Sequence, residues 1–242
     1  MGYDIQSIPL LNLAISFIPV LFALAILFKW SLGSSNALYA IARMLVQLLL
    51  VGYLLSYIFE ADNAAIVITV LAVMVFASSW IALGTIPIKR SILYKQALLA
   101  IAVGGGFTLL IITQGVLNLD PWYTPQLIIP LAGMIFANAM NSVSLAAERM
   151  SAEIDRKVQY IEARHIALHA SLIPVINSLF AVGLVSLPGM MTGQILSGVS
   201  PLIAVRYQIM VMCMIFASSV LSTAFFLVLA KPAFSAKLTK PL

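Results

Sequence analysis

The chain has 242 residues, of which 62% are hydrophobic and only 9% are charged, and its mean hydropathy is +1.09. A soluble domain of this size needs about a quarter charged residues at its surface, so the composition excludes a soluble globular protein. The net charge of +5 is spread between long apolar runs and predicts no basic face, so no nucleic-acid partner is expected.

Seven apolar runs follow one another along the chain. A spanning helix needs about 20 apolar residues, and a helix is the form in which a segment in lipid satisfies its own backbone. The predicted spans are Leu10–Phe28, Leu38–Phe59, a third within Asn63–Ile88, a fourth within Gln96–Leu119, a fifth within Pro121–Ala147, a sixth from Ile166 to near Leu187, and a seventh over Tyr207–Ala230. We therefore predict an all-α polytopic membrane protein with about seven transmembrane helices in one domain over residues 1–242.

The cations predict the orientation of these spans. With the amino terminus outside, 11 of the 13 Lys and Arg residues fall in inside segments, whereas Arg206 is the one cation of the outside segments. The acidic residues of the outside segments are Asp4, Glu60, Asp62 and Asp120. Since cytoplasmic loops carry an excess of Lys and Arg, the carboxyl terminus is predicted to be cytoplasmic. The predicted location is the inner (plasma) membrane, with multiple passes.

Two kinds of functional group are absent from the sequence, and their absence limits the functions that we expect. The predicted spans contain no Asp or Glu, which ion-coupled transporters usually place near mid-membrane. The chain also has no Gly-rich phosphate loop ending in Gly-Lys-Ser/Thr, so we expect neither ATP nor another cofactor on it and do not expect an enzyme. His165 and His169 are four residues apart and form either a weak metal pair or an interfacial pair; the metal site is left unknown.

Polar and sulfur-bearing side chains within the spans are candidates for a substrate pathway. Each kind of side chain also has a structural alternative. Amides in lipid-embedded helices can form hydrogen bonds to a neighbouring helix, and Arg43 can reach the lipid headgroups or pair with Gln47. Methionines can either bind soft ions or fill gaps in helix packing. The candidate pathway residues are Arg43, Gln47, Asn138, Asn141, Asn177, Met190, Met191, Gln194 and Gln208.

Two irregular segments are the other functional candidates. Pro188-Gly189 predicts a helix break over about residues 188–201, which either lines a cavity or, through Gly189 and Gly193, lets two helices approach closely. The hydrophilic stretch 148–165 is the size of one amphipathic helix, with Arg149, Glu153 and Lys157 at i,i+4 spacing. It is either a solvated surface helix or a docking site for a soluble partner. The candidate docking residues are Arg149, Glu153, Arg156, Lys157 and Glu162.

Several of these stretches carry a family resemblance. They are Gln47-Leu-Leu-Leu-Val-Gly-Tyr53, Ile129-Pro-Leu-Ala-Gly-Met-Ile135 with Asn138-Ala-Met140, Leu172-Ile-Pro174, Val182-Gly-Leu-Val-Ser-Leu-Pro-Gly-Met-Met-Thr-Gly193 and Arg206-Tyr-Gln-Ile-Met210. The chain resembles the FetB-like iron-export permeases, membrane subunits of ABC transporters whose plant relatives are linked to aluminium tolerance. The resemblance implies a homodimeric permease that exports a metal ion, with ATP and Mg²⁺ bound by a separate ABC ATPase subunit.

The sequence departs from that family pattern at one point. Family members carry a Leu-Gly-Ala-Thr-like stretch in the cytoplasmic loop before helix six, whereas this chain has no Gly between Glu162 and Ile173. A rival hypothesis is a membrane scaffold or assembly protein that moves no solute. ATP-dependent ion flux in vesicles discriminates between the two.

Overall fold

The structure is a computed structural model that describes residues 8–60, 63–84, 86 and 90–238, without the side chains of residues 237 and 238. The predicted outside charges Asp4 and Asp62, the inside cations Lys89 and Lys240 and the side chain of Lys237 lie outside this description. The described residues form helices and turns without a named strand, which confirms the all-α prediction. They divide into two compact units, one within residues 1–61 and one within 62–242. The single domain over 1–242 stays a prediction.

The first unit contains three helices, α1 (Leu10–Ile15), α2 (Phe17–Lys29) and α3 (Ser34–Glu60). Only Ser16 separates α1 from α2, and its hydroxyl donates a 2.7 Å hydrogen bond to the Leu13 carbonyl. Together they make one apolar span of 20 residues, and α3 makes a second of 27 residues. The first two predicted spans are therefore confirmed, with α3 beginning four residues earlier than expected.

The second unit contains the remaining elements: α4 (Ala64–Ala82), α5 (Arg90–Leu110), a π-helical turn (Ile111–Val116), α6 (Pro125–Asp155), α7 (Tyr160–Ala181), α8 (Gly189–Leu196), α9 (Pro201–Leu229) and α10 (Lys231–Leu238). Local interactions fix where several of these helices begin. The Asn63 side chain accepts a 2.8 Å hydrogen bond from the Ala65 amide at the start of α4, and a proline is the first residue of both α6 and α9.

The core of this unit is built around α6 and α9. Helix α9 packs against α5, α6, α7 and α8, while α6 also packs against α4 and α7. Small side chains such as Ala97, Ala100 and Ala139 are fully buried beside Ile135 and Phe226. Because alanine lets helix backbones approach, these contacts supply van der Waals packing, the main attraction between helices in lipid.

Six helical segments of the described chain are long and apolar enough to cross a membrane, and α7 is not among them. Helix α7 corresponds to the predicted sixth span, but it begins at Tyr160 and carries Glu162, Arg164 and His165 in its first two turns. The spanning role of this 22-residue helix, and with it the count of seven, stays a prediction.

The predicted boundaries around the uncharged run were wrong by about two turns. Helix α7 ends at Ala181 rather than near Leu187, because Gly183 adopts a φ of +83° and its amide bonds the Ser186 carbonyl at 3.0 Å. The break predicted over residues 188–201 is therefore correct only in part: non-helical backbone covers residues 182–188 and 197–200, and the short helix α8 lies between them. Helix α9 begins at Pro201 rather than Tyr207, because proline suits the first helical turn.

The hydrophilic stretch 148–165 is not one helix, contrary to expectation. Its first half extends α6 to Asp155, Lys157 turns the chain with a φ of +63°, and α7 begins at Tyr160. At a rise of about 1.5 Å per residue, the 31 residues of α6 span about 46 Å, which exceeds the roughly 30 Å of bilayer hydrocarbon. One end of α6 therefore extends beyond the hydrocarbon. The charged residues of α6 lie near its carboxyl terminus, which identifies that end as the one outside the hydrocarbon.

Candidate functional site

A cavity of about 340 Å³ lies where the break between α7 and α9 meets α6. Helix α6 contributes Met134 and Asn138, and α9 contributes Gln208 and Met212. Each pair is four residues apart, so its members lie on the same helix face one turn from each other. Two facing helices thus present the same combination of one thioether and one amide.

The third wall comes from α7 and the segment that follows it. Ser178 lies in the last turn of α7, Ser186 closes the turn after it, and Met190 lies in the first turn of α8. Pro188, also in this wall, precedes α8 and cannot continue a helix. The non-helical backbone thus lines a cavity, which is one condition under which such backbone is tolerated at membrane depth.

The polar groups of the cavity are held by their own helices. The Asn138 amide donates a 2.8 Å bond to the Met134 carbonyl, and the Ser178 hydroxyl donates a 2.9 Å bond to the Pro174 carbonyl. Gln208 differs: it is 6% exposed, and its Oε1 has no hydrogen-bond partner in the described chain. An unpartnered buried amide oxygen is costly, and this one is available to accept an interaction from a species bound in the cavity.

The structure brings together only part of the predicted pathway set. Asn138, Met190 and Gln208 line the cavity, whereas Met191 faces an adjoining apolar groove of about 370 Å³ together with Cys213. Cys213 itself is exposed.

The other predicted pathway residues do not line this cavity. Asn141 and Asn177 are exposed, and Gln194 is half-buried with a buried Oε1 that lacks a described partner. Arg43 and Gln47 belong to the first unit, where both are exposed and the described structure shows no hydrogen bond between them.

Four polar or sulfur-bearing residues of the cavity were absent from the predicted set: Met134, Ser178, Ser186 and Met212. The sequence offered a usable signal for two of them, because Met134 precedes Asn138 by four residues and Met212 follows Gln208 by four. The serines carried no such signal, since hydroxyls commonly bond the preceding turn of their own helix.

The alternative interpretation of Gly189 and Gly193, that they let two helices approach closely, finds no support within the described chain. A Cβ added at Gly189 or at Gly193 would meet no described atom within 4 Å. The close contact between helices occurs instead at Gly104 of α5, which lies against α9.

Three of the five candidate docking residues form a small ion network at the end of α6. Glu153 is 4% exposed, and its Oε1 lies 2.8 Å from Arg149 Nη2 and 3.3 Å from Arg156 Nη1. The predicted i,i+4 pairing of Glu153 with Lys157 is wrong, because Lys157 has left the helix and Arg156 takes its place. Glu162 is exposed on α7.

A second cavity, of about 560 Å³, lies between the first half of α7 and the end of α9. His165 and His169 share its wall, but the described residues include no cluster of three metal-ligating His, Cys, Asp or Glu side chains. Nearby, the Tyr160 hydroxyl donates to the Leu227 carbonyl. Burial raises the pKa of Tyr160 above its ordinary value, although the nearby Arg164 charge acts in the opposite direction. The hydroxyl is therefore protonated at neutral pH and can donate this hydrogen bond.

These features define a polytopic α-helical membrane protein with an uncharged cavity between packed helices. The model of the uncharacterised protein family UPF0014 matches residues 10–234, and the chain belongs to this family. No solved structure matches the chain.

Relatives align over most of their length. UPF0014 membrane protein slr1647 of Synechocystis is 39% identical, with 78% of this chain and 79% of the relative covered. The probable iron export permease protein FetB of Escherichia coli is 34% identical, with 88% of this chain and 86% of the relative covered. Protein ALUMINUM SENSITIVE 3 of Arabidopsis thaliana is 30% identical, covering 93% and 86%.

Proposed function

We propose that this chain is the membrane-spanning permease subunit of an ATP-driven ABC transporter in the inner membrane and that it exports a metal ion. Family membership supports a permease, and the name of the FetB relative supplies iron as the first ion to test. In this proposal two copies of the chain form a homodimer with two copies of a separate ATPase, which binds ATP and Mg²⁺.

The observation that carries the proposal is the cavity lined by Asn138, Met190 and Gln208. These residues come from three different helices, and Gln208 places a buried, unpartnered amide oxygen in the wall. Amide oxygens and thioethers are uncharged electron-pair donors that can replace water around a cation. A scaffold would not need such a group, because leaving it unpaired costs stability.

The residues at the end of α6 are assigned to docking of the ATPase. Arg149 and Arg156 both pair with Glu153 at this helix end, and Arg156, with 67% of its side chain exposed, can also contact a partner. In this assignment ATP hydrolysis changes the packing of α6 against α9, the two helices that supply the paired cavity residues.

The test is reconstitution of the chain in vesicles with its ATPase, followed by measurement of the transport of iron, manganese, zinc and aluminium ions. We expect ATP-dependent movement of at least one metal ion, and loss of that movement when Gln208 is replaced. Vesicles containing the ATPase alone are the control. The absence of ATP-dependent flux for any metal ion would favour the scaffold hypothesis.

A further inference from the structure

We infer that the cavity between α6, α8 and α9 binds a soft monovalent cation, Cu(I) or Ag(I), through the thioethers of Met134, Met190 and Met212. This inference rests on the proposed function, since it names the class of ion that the same cavity accepts. It differs from the iron suggested by resemblance, because it follows from the donor atoms that line the cavity.

The three thioethers come from three separate helices and meet at one cavity. Met134 lies on α6, Met190 on α8 and Met212 on α9, and all three side chains are half-buried. Thioether sulfur selects Cu(I) among the biological metal ions, whereas harder ions such as Mg²⁺ and Mn²⁺ favour oxygen ligands. Gln208, which also lines the cavity, adds an amide oxygen that lacks a partner in the described chain.

The charge of the lining favours a monovalent ion. None of the described residues that line the cavity is an Asp, Glu, His, Lys or Arg. The cost of taking an ion out of water rises with the square of its charge, so a divalent ion costs about four times as much as a monovalent ion of the same size. Without a carboxylate to offset that cost, neutral sulfur and amide donors suit a singly charged ion.

Methionines often serve only to fill irregular gaps between helices. In that role their side chains would occupy the space, yet about 340 Å³ remains open beside these three residues. A water molecule occupies about 30 Å³ in the liquid, so the open volume accommodates an ion with part of its hydration shell.

Replacement of sulfur by carbon tests the inference. Leucine has nearly the volume of methionine, so M134L/M190L/M212L removes the donors while largely keeping the packing. The matched control, M140L/M150L/M214L, removes three thioethers that do not line the cavity, two of them fully buried in the core. Cu(I) affinity is measured on the detergent-solubilised chain with ascorbate and the chromogenic competitor bicinchoninate.

We expect wild type and control to bind Cu(I) with equal affinity and the cavity variant to bind about tenfold or more weakly, a change of about 1.4 kcal/mol or more. Equal affinities of the cavity and control variants would overturn the inference. X-ray absorption at the copper edge on C213S supplies a second measurement with all three cavity methionines intact. Sulfur scattering is expected although the single cysteine is gone, and its absence would overturn the inference as well.

The inference and the proposed function fail in different ways. Sulfur-dependent Cu(I) binding without ATP-dependent flux of any metal ion, Cu(I) and Ag(I) included, would support the site and reject the transport proposal. ATP-dependent export of Fe²⁺ by a chain that binds no Cu(I) would support the transport proposal and reject the soft-ion site. Export of Ag⁺ that is lost only in the cavity variant would support both.

Discussion

Gly104 of α5 lies directly against Ser222 of α9. A Cβ atom at Gly104 would be 2.5 Å from Ser222 Oγ and 2.6 Å from the Ser222 backbone nitrogen. Because part of this obstacle is backbone, rotation of one side chain cannot relieve it. The contact joins two helices whose packing places α9, and with it Gln208 and Met212, beside the cavity.

The first prediction concerns this contact. G104A should destabilise the chain by about 1–3 kcal/mol, the usual cost of overpacking a tight interface. The measurement is the thermal unfolding midpoint in detergent. G106A is the control, because no described atom lies within 4 Å of a Cβ at Gly106, and alanine there should be neutral or stabilising by up to about 1 kcal/mol. Equal unfolding midpoints for the two variants would contradict the close contact between Gly104 of α5 and Ser222 of α9.

The second prediction concerns the ion network at the end of α6. E153Q should lower stability by about 1–2 kcal/mol, because the buried side chain loses the charge that pairs with Arg149 and Arg156, both of which are partly exposed. Thermal unfolding again provides the measurement. E148Q, at an exposed position on the same helix, should change stability by less than about 0.5 kcal/mol. A larger effect for E148Q than for E153Q would contradict the arrangement.

The third prediction tests docking of the ATPase. R156E/K157E should reduce co-purification of the ATPase with the chain, since both positions are exposed at the end of α6 and the change reverses two charges. Membrane insertion should be unchanged, and binding should be more sensitive to salt in the wild type. R206E on α9, on the predicted external side, is the control. Undiminished co-purification of R156E/K157E would remove this segment from the docking surface.

The fourth prediction separates the roles of two glutamines. Q208L should stabilise the chain by about 1–2 kcal/mol, because leucine removes a buried amide oxygen that lacks a partner, and it should lower metal-ion transport. Q194L removes a similar unpartnered oxygen away from the cavity lining and should stabilise the chain without lowering transport. Unfolding midpoints and vesicle flux are measured for both. Destabilisation by Q208L would indicate a structural role for that amide.

The fifth prediction concerns orientation. A protease-sensitive tag added after the carboxyl terminus should be protected in intact spheroplasts and cleaved after lysis, whereas a tag at the amino terminus should be cleaved in both. The reason is the excess of Lys and Arg in the segments predicted to be cytoplasmic. Cleavage of the carboxyl-terminal tag in intact spheroplasts would reverse the arrangement and place the docking residues on the side without ATP.

Helix positions followed from the sequence wherever charges or prolines interrupt the apolar runs. Lys29 ends α2 and Glu60 ends α3, close to the predicted limits of the first two spans. The prediction was poorer over the uncharged run Ile166–Val205, where hydropathy alone cannot locate a helix end. There the φ of +83° at Gly183 and the proline at 201 set the boundaries.

The candidate site was only partly predictable for a related reason. Asn138, Met190 and Gln208 stood out as polar or sulfur-bearing residues in apolar surroundings, and all three line the cavity. Asn141 and Asn177 stood out equally well and are exposed elsewhere. Composition identifies residues that could bind an ion, but it does not tell which helix faces converge.

By itself, the sequence determined that this protein crosses a membrane as a set of helices, because a bilayer selects runs of about 20 apolar residues whose backbone hydrogen bonds close within each segment. Only the tertiary structure decided that Glu153 pairs with Arg156 rather than Lys157, that α5 meets α9 at Gly104, and that Met134, Met190 and Met212 surround one cavity. Those outcomes depend on how helix surfaces pack against one another, and similar apolar periodicities permit many such packings.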